Sequence, residues 1–280
     1  MDMAETVPAT AWRARLELEF ERRGTRSVLA KRRHDGPLLV QKSLYPEGEG
    51  ICHALVVHPP AGIAGGDDLE LQTVVSAGAH AVLATPGAGK WYRSAGPGAC
   101  QRIRFDLAAG ALLEWLPQET ILFNGAIAEI SSSIRLGRGA RYLGWDILCF
   151  GRTGAGERWM QGHCSLNTRL EVEDMPIFIE RADLEGGSGI FNSPAALAGA
   201  PVCGTLMAVS PECDASLLAA CRELQAANGA GAVTRLPGVL VARYLGASSE
   251  AAKNYFIQLR RVLRPAIMGR EAGDLRIWST

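Results

Sequence analysis

Through the first two-thirds of the chain, apolar and polar residues alternate with a period of two. Trp12, Ala14, Leu16, Leu18 and Phe20 fall on one face of a stretch whose other face carries Arg13, Arg15, Glu17 and Glu19. That is the pattern of a strand with one side buried. Arg23-Gly24 is expected to turn the chain back towards Ser27–Lys31. Three later segments, VVSAGAHAVLATPG, FDLAAGALLEWLPQ and IRLGRGARYLGWDI, share one layout: a strand ends, a glycine turn follows, and a new strand starts. Their turn glycines, Gly78, Gly110 and Gly139, lie 32 and 29 residues apart. TRLEVEDMPIFIERADL, turning around Asp174, reads as a fourth copy. Such a period fits stacked units in a β-solenoid-like structure, and it fits three ordinary hairpins in a sandwich equally well.

After residue 200 the period changes. Leu217, Cys221 and Leu224 have helical spacing, which predicts a helix from Asp214 to Asn228 with Gly229 just past its end. A second helix is capped by Ser248 or Ser249, with Glu250 in its first turn. Its apolar stripe is Ala252, Tyr255, Phe256, Leu259, Val262 and Leu263, a face that should join the core. Arg260, Arg261 and Arg264 suit the negative end of the helix dipole, and Pro265 is expected to stop the helix. Between the two helices, GVLVARYLG reads as a buried strand. The fold class expected is therefore mainly β, layered and solenoid-like, with a small α+β C-terminal part carrying two helices. The division expected is a β-rich body over 1–200, with 201–280 packed on it as one structural unit.

Composition narrows the function. Lys plus Arg and Asp plus Glu each number 29, a net charge of zero. A nucleic-acid binder draws its affinity from a basic surface, so that class is disfavoured. A chain near zero charge also has little self-repulsion, and a standing partner would help its solubility. Met1–Glu5 is acidic, with no basic or apolar signal-peptide region. The longest nearly apolar run, Ala200–Val209, is too short to span a bilayer. The seven cysteines, Cys52, Cys100, Cys149, Cys164, Cys203, Cys213 and Cys221, are odd in number and include no C-x-x-C pair. Neither a disulfide framework nor a structural zinc site follows, and a reducing cytoplasm is the expected home.

The tests for chemistry are negative. ATPGAGKWYRS, from Ala84 to Ser94, resembles a phosphate-binding loop only in Gly89-Lys90. Ala84 stands where the first glycine belongs and Trp91 where the metal-binding hydroxyl belongs, so the nucleotide reading fails. His53 and His58 are five residues apart and fall on opposite faces of one strand, as do the neighbours His163 and Cys164. GGSGI, residues 186–190, lacks the last glycine of a nucleophile elbow. No multi-ligand metal motif is written locally, and the residues describe a binding or scaffolding protein. Three segments stand out: HPPAGIAGGDDL, WLPQETILFNGA and GWDILCFGR. They are tight corners of a layered fold or contacts with a partner. Gln118, Glu119 and Asp146 lie in apolar runs and need partners if buried.

Together with TPGAGKWYRS, RLEV followed by IFIERADL, LRP and the terminal RIWST, these segments resemble the urease accessory protein family UreD, called UreH in some species. The motifs occur in order from about Trp12 to Thr280. The resemblance implies a solenoid-like layered β fold and a non-enzymatic maturation factor. It implies partners: the urease apoprotein, the adaptor UreF and the GTPase UreG, including a dimer of such heteromeric complexes. It implies no permanently bound cofactor, nickel in transit, and GTP held by a partner protein alone. Nucleic acid and membranes are not among the partners. The residues it marks for an internal passage or an interface are His58, Asp67, Lys90, Arg93, Glu119, Asp146, Arg152 and Glu180. Asp67 and Glu180 are the candidate carboxylates of a nickel route, weak ligands suited to transfer rather than storage. The competing role for both is as buried ion-pair partners of Lys90, Arg93 or Arg181. This chain has Ala61 where the family loop has glycine, and Gly89 and Trp91 where Ser and Phe are common. The readings from other classes are a hydrolase or nucleotide-using enzyme and a free-standing nickel-binding protein.

Overall fold

The computed structural model describes residues 11–279, so Met1–Glu5 and Thr280 lie outside the described residues. The chain opens with an antiparallel pair, β1 (Arg13–Arg23) and β2 (Arg26–Asp35), followed by the short β3 (Leu39–Val40). It then winds repeatedly between two facing sheets through β4 (Cys52–Val57), β5 (Asp68–Val75), β6 (His80–Ala84), β7 (Gly89–Trp91), β8 (Ala99–Leu107), β9 (Leu112–Leu116), β10 (Thr120–Leu122), β11 (Ile127–Leu136) and β12 (Arg141–Phe150). β13 (His163–Val172) and β14 (Met175–Glu185) follow, then β15 (Val202–Val209), α1 (Ala215–Arg222), β16 (Gly229–Leu236), β17 (Val239–Gly246) and α2 (Ser249–Met268). The first sheet runs in the order β14-β13-β11-β8-β5-β1-β2; the second runs β16-β17-β15-β12-β9-β6-β4-β3. Successive turns stack in parallel in both sheets, which is the solenoid rather than the sandwich of hairpins.

The repeat has a physical basis at its corners. Gly78, Gly110 and Gly139 have φ of 70°, 68° and 67°, a left-handed conformation that a side chain disfavours. Each is followed by an alanine, Ala79, Ala111 or Ala140, buried at 0–5% exposure, whose methyl turns inward as the chain crosses to the other sheet. The fourth segment is not a copy of this corner. Glu173 and Asp174 both have positive φ and make a tight hairpin, so β14 pairs antiparallel with β13 in the same sheet. No small apolar residue is available there to tuck between the sheets.

Two cores result. One fills the space between the sheets, and the other lies between the second sheet and the helices. The first sheet therefore alternates buried and exposed positions, as β1 does, while the inner strands β6, β9 and β12 of the second are covered on both faces and read as apolar runs. Both helices differ in extent from expectation. α1 ends at Arg222 because only Leu217 and Cys221 are buried along it. Arg222 Nε donates to the Val233 carbonyl (3.0 Å), Asn228 is left-handed, and Gly229 starts a strand instead of ending a helix. α2 is capped by Ser248, whose side chain accepts from the Ala251 amide, and it runs through Pro265 to Met268. A helix-interior proline costs about 3 kcal/mol; burying Ile267 and Met268 and anchoring Arg264 offset it.

Arg260 and Arg264 do not sit at a solvated helix end. Both are buried and clasp Glu114 of β9, with Nε to carboxylate distances of 2.9 Å for each. His80 Nε2 lies 3.1 Å from the same carboxylate. Arg264 also reaches Glu47, which in turn contacts His53. Burial alone would raise the Glu114 pKa, but His80 and the two guanidinium groups hold it far below the usual carboxylate range. This cluster fastens α2 to the second sheet.

Candidate functional site

A cavity of about 440 Å³ lies between the two sheets. Its lining is largely apolar where β5 and β8 face it, through Leu69, Leu71 and Ile103. Towards the first sheet's edge the register brings polar residues into line. Leu71 pairs with Ile103, Ile103 with Ser132, Ser132 with Thr168, and Thr168 with Glu180. These residues share one row across neighbouring strands and face inward. The second sheet answers with Asp146, which pairs with Thr205, which pairs with Arg243. Across the gap Arg243 Nη2 stands 2.7 Å from Glu180 Oε1, and its Nη1 donates to Thr205 Oγ1 at 2.6 Å. Two polar rows, one from each sheet, thus meet at the Glu180–Arg243 pair.

Asp146 is the electrostatically unusual member. Burial pushes its carboxyl up from 3.8 to about 6, the charge of Glu180 adds to the rise, and a hydrogen bond from Trp115 opposes it. Cys203, on the strand next to Asp146, also lines the cavity. Its thiol is pushed up to about 12 by burial first and by Glu180 second, so it stays protonated and is a poor metal ligand near neutral pH. At another part of the wall His58 has its pKa lowered by burial, with Asp67 opposing, and so carries a neutral imidazole at pH 7. Its buried Nε2 has no hydrogen-bond partner among the described residues.

The structure brings together His58, Lys90, Asp146 and Glu180 from the eight candidates, along with Gln118. It places the other four elsewhere. Asp67 accepts from the backbone amides of Trp12 and Ala64, both at 2.8 Å, and so ties the HPPAGIAGGD loop behind His58. Arg93 is exposed and lies over Gly125. Glu119 accepts the Gly89 amide through its backbone carbonyl, and its charge acts on buried Cys149. Arg152 pairs with Glu157 at 3.0 Å and stacks over Phe123 at 4.8 Å. Glu180 is paired, but with Arg243 rather than Lys90, Arg93 or Arg181. Lys90 makes no ion pair with a described carboxylate; its backbone carbonyl accepts the Ile63 amide at 2.7 Å. That bond joins the ATPGAGKWYRS stretch to the HPPAGIAGGD loop, where Gly62 sits directly against the Tyr92 ring. Ala61 has φ of 61°, a left-handed position that explains why a glycine suits it.

Arg243 and Thr205 are the residues that strand patterning alone passes over. The signal was present: each is a polar residue at an inward position of an otherwise apolar strand, a placement that requires a partner. Among the described residues no group of three or more His, Cys, Asp or Glu side chains is arranged to hold a metal ion. No helix among the described residues is long and apolar enough to cross a membrane.

The profile of the UreD urease accessory protein family matches residues 13–279. A urease accessory protein UreD of Dechloromonas aromatica (strain RCB) is 52% identical over 284 residues, covering 100% of this chain and 99% of that protein. Its counterpart in Azoarcus sp. (strain BH72) is 50% identical, covering 96% of this chain and 94% of its own length. That of Methylobacillus flagellatus is 48% identical, with 96% and 95% covered. With its solenoid matched from the first strand to the last turn, the chain belongs to the UreD urease accessory protein family.

Proposed function

We propose that this chain is a non-catalytic factor in urease maturation, a scaffold that binds the urease apoprotein together with the adaptor UreF and the GTPase UreG. In this reading UreG hydrolyses GTP, and the chain supports delivery of nickel to the urease active site in the cytoplasm. The family match along the whole described chain carries the maturation role. The nickel part draws its support from the cavity, whose carboxylates, Asp146 and Glu180, come from different sheets.

The donor set fits a cargo better than a resident ion. Carboxylate oxygens bind Ni²⁺ less firmly than imidazole or thiolate, and the one thiol at the wall, Cys203, is held protonated. Asp146 and Glu180 would hand a divalent ion along the polar rows, with the neutral His58 imidazole as a nitrogen donor at another part of the wall. Asp67, whose two oxygens are both engaged by backbone amides, supports the loop that carries His58 and offers little to a metal. The protein's part is to keep the ion in a water-poor channel with few, weak contacts.

Co-purification from cells carrying the whole urease system tests the scaffold: urease, UreF and UreG should be recovered with this chain. Urease activation with D146N and E180Q tests the route. Normal complexes with reduced nickel content in urease are expected, and full activation by both variants would refute the passage.

A further inference from the structure

The Glu180–Arg243 pair does more than fill space between the sheets. Glu180 lines the cavity, whereas Arg243 is not part of the lining and stands behind it. Their side chains are 35% and 41% exposed, so the pair lies where the cavity approaches solvent, between β14 and β17. β14 is the edge strand of its sheet. Arg243 is held from three sides: Glu180 at 2.7 Å, the Thr205 hydroxyl at 2.6 Å, and the Phe178 ring 5.9 Å away. Phe178 and Glu180 are two apart on one strand, so both project towards the second sheet. A guanidinium with this many fixed neighbours has a defined position rather than a freely moving one.

We infer that Arg243 is a competing cation at Glu180: it engages one carboxylate oxygen, so that a divalent metal ion gains the whole carboxylate only by displacing it. The inference rests on the reading of the cavity as a cation route. Its physical content is charge bookkeeping at one carboxylate. A carboxylate oxygen engaged by a guanidinium offers its lone pairs to that group and not to a metal. Once displaced, Arg243 remains close by as a positive charge that repels the ion and limits how long it stays. The pair lets the carboxylate stand in a half-buried position without an ion, and it keeps the site weak. Arg243 is thereby a specificity-determining residue: it disfavours retention and makes transfer the default.

The test is metal binding by the purified full-length chain, titrated with nickel chloride at pH 7.5 by calorimetry and equilibrium dialysis. R243M keeps the aliphatic stem against Phe178 but removes the charge; R243Q keeps a donor for Thr205. Either variant should bind Ni²⁺ about two- to five-fold more tightly than the wild type, the scale of one half-exposed ion pair removed from competition. The gain should vanish in R243M/E180Q. Two neutral variants guard against one failing to fold, and thermal melting identifies the folded ones. Unchanged or weaker binding in a folded Arg243 variant would overturn the inference, as would a gain that survives E180Q. Because the assay contains no urease, it separates the two ideas. Tighter binding by R243M with normal urease activation by D146N and E180Q would leave the competition at Glu180 standing and refute the route, and with it the role of Arg243 in transfer.

Discussion

Replacing Asp146 by Asn should make this protein more stable, and by an amount that depends on pH. The carboxyl is raised from 3.8 to about 6, through burial first and Glu180 second. A raised folded-state pKa means that the native protein binds the proton more tightly than the unfolded chain. Stability is then highest below pH 3.8, falls as pH rises from there to about 6, and levels off above. At 1.36 kcal/mol per pKa unit, ionising Asp146 in the fold costs about 2 kcal/mol at pH 5 and about 3 kcal/mol at pH 8. Asn never ionises, so urea unfolding should find D146N more stable by about those amounts, less whatever its amide loses in hydrogen bonding. Tryptophan fluorescence is a suitable probe, since Trp145 precedes Asp146 in the chain, Trp115 hydrogen-bonds to it, and both rings are buried. A D146N advantage that does not grow between pH 5 and pH 8 refutes the argument, and so does a variant less stable at pH 8. The destabilising carboxylate also has a functional meaning: a group that weakens the fold near neutral pH is where a role in handling charge is to be sought.

Three other outcomes follow from the structure. E114Q leaves Arg260 and Arg264 buried against a neutral amide and should lower stability by about 3–5 kcal/mol in urea melts, with amide exchange rising first in α2; E114Q/R260M/R264M should recover much of the loss. A61G relieves a left-handed alanine at φ 61° and should raise stability by up to about 1 kcal/mol, read as a higher melting temperature with unchanged metal binding. The purified chain should show no GTP binding by equilibrium dialysis, because Ala84 and Trp91 stand where a phosphate loop needs glycine and hydroxyl.

Much of the fold was legible because its strands keep a strict period and its corners reuse one solution. Leu16, Leu18 and Phe20 are buried as their alternation requires, although Trp12 is half exposed at the start of the pattern. The glycine corners share a conformation as well as a spacing. The limits came where local pattern and tertiary demand disagree. Glycine after Asn228 looked like a helix stop, but past Cys221 the apolar residues Leu224 and Ala226 are only partly buried against the core, and the segment leaves the helix early. Pro265 looked like a terminator, and burial of the following turn overrides it. Arg260 and Arg264 looked like dipole partners because the residue that claims them, Glu114, lies about 150 positions away in the chain.

The same distinction explains which site residues could be found. Asp146 and Glu180 were visible as acids inside recognisable motifs, but motif membership ranked Asp67 beside them and did not separate ligand from loop tie. Register separates them. Ser132, Thr168 and Glu180 line up because β11, β13 and β14 are neighbours, and Asp146, Thr205 and Arg243 line up because β12, β15 and β17 are. Neither row exists in any short stretch of sequence. Asp67 occupies a strand entrance where backbone amides need an acceptor, so its carboxylate is consumed locally. Glu180 stands at a sheet edge where its sole described ion-pair partner comes from the opposite sheet, and a contact across a gap is one that a cation can open. On the proposed cation route, the residue that would decide whether this cavity holds a metal or passes it on is therefore Arg243, a single basic position in the middle of an apolar strand.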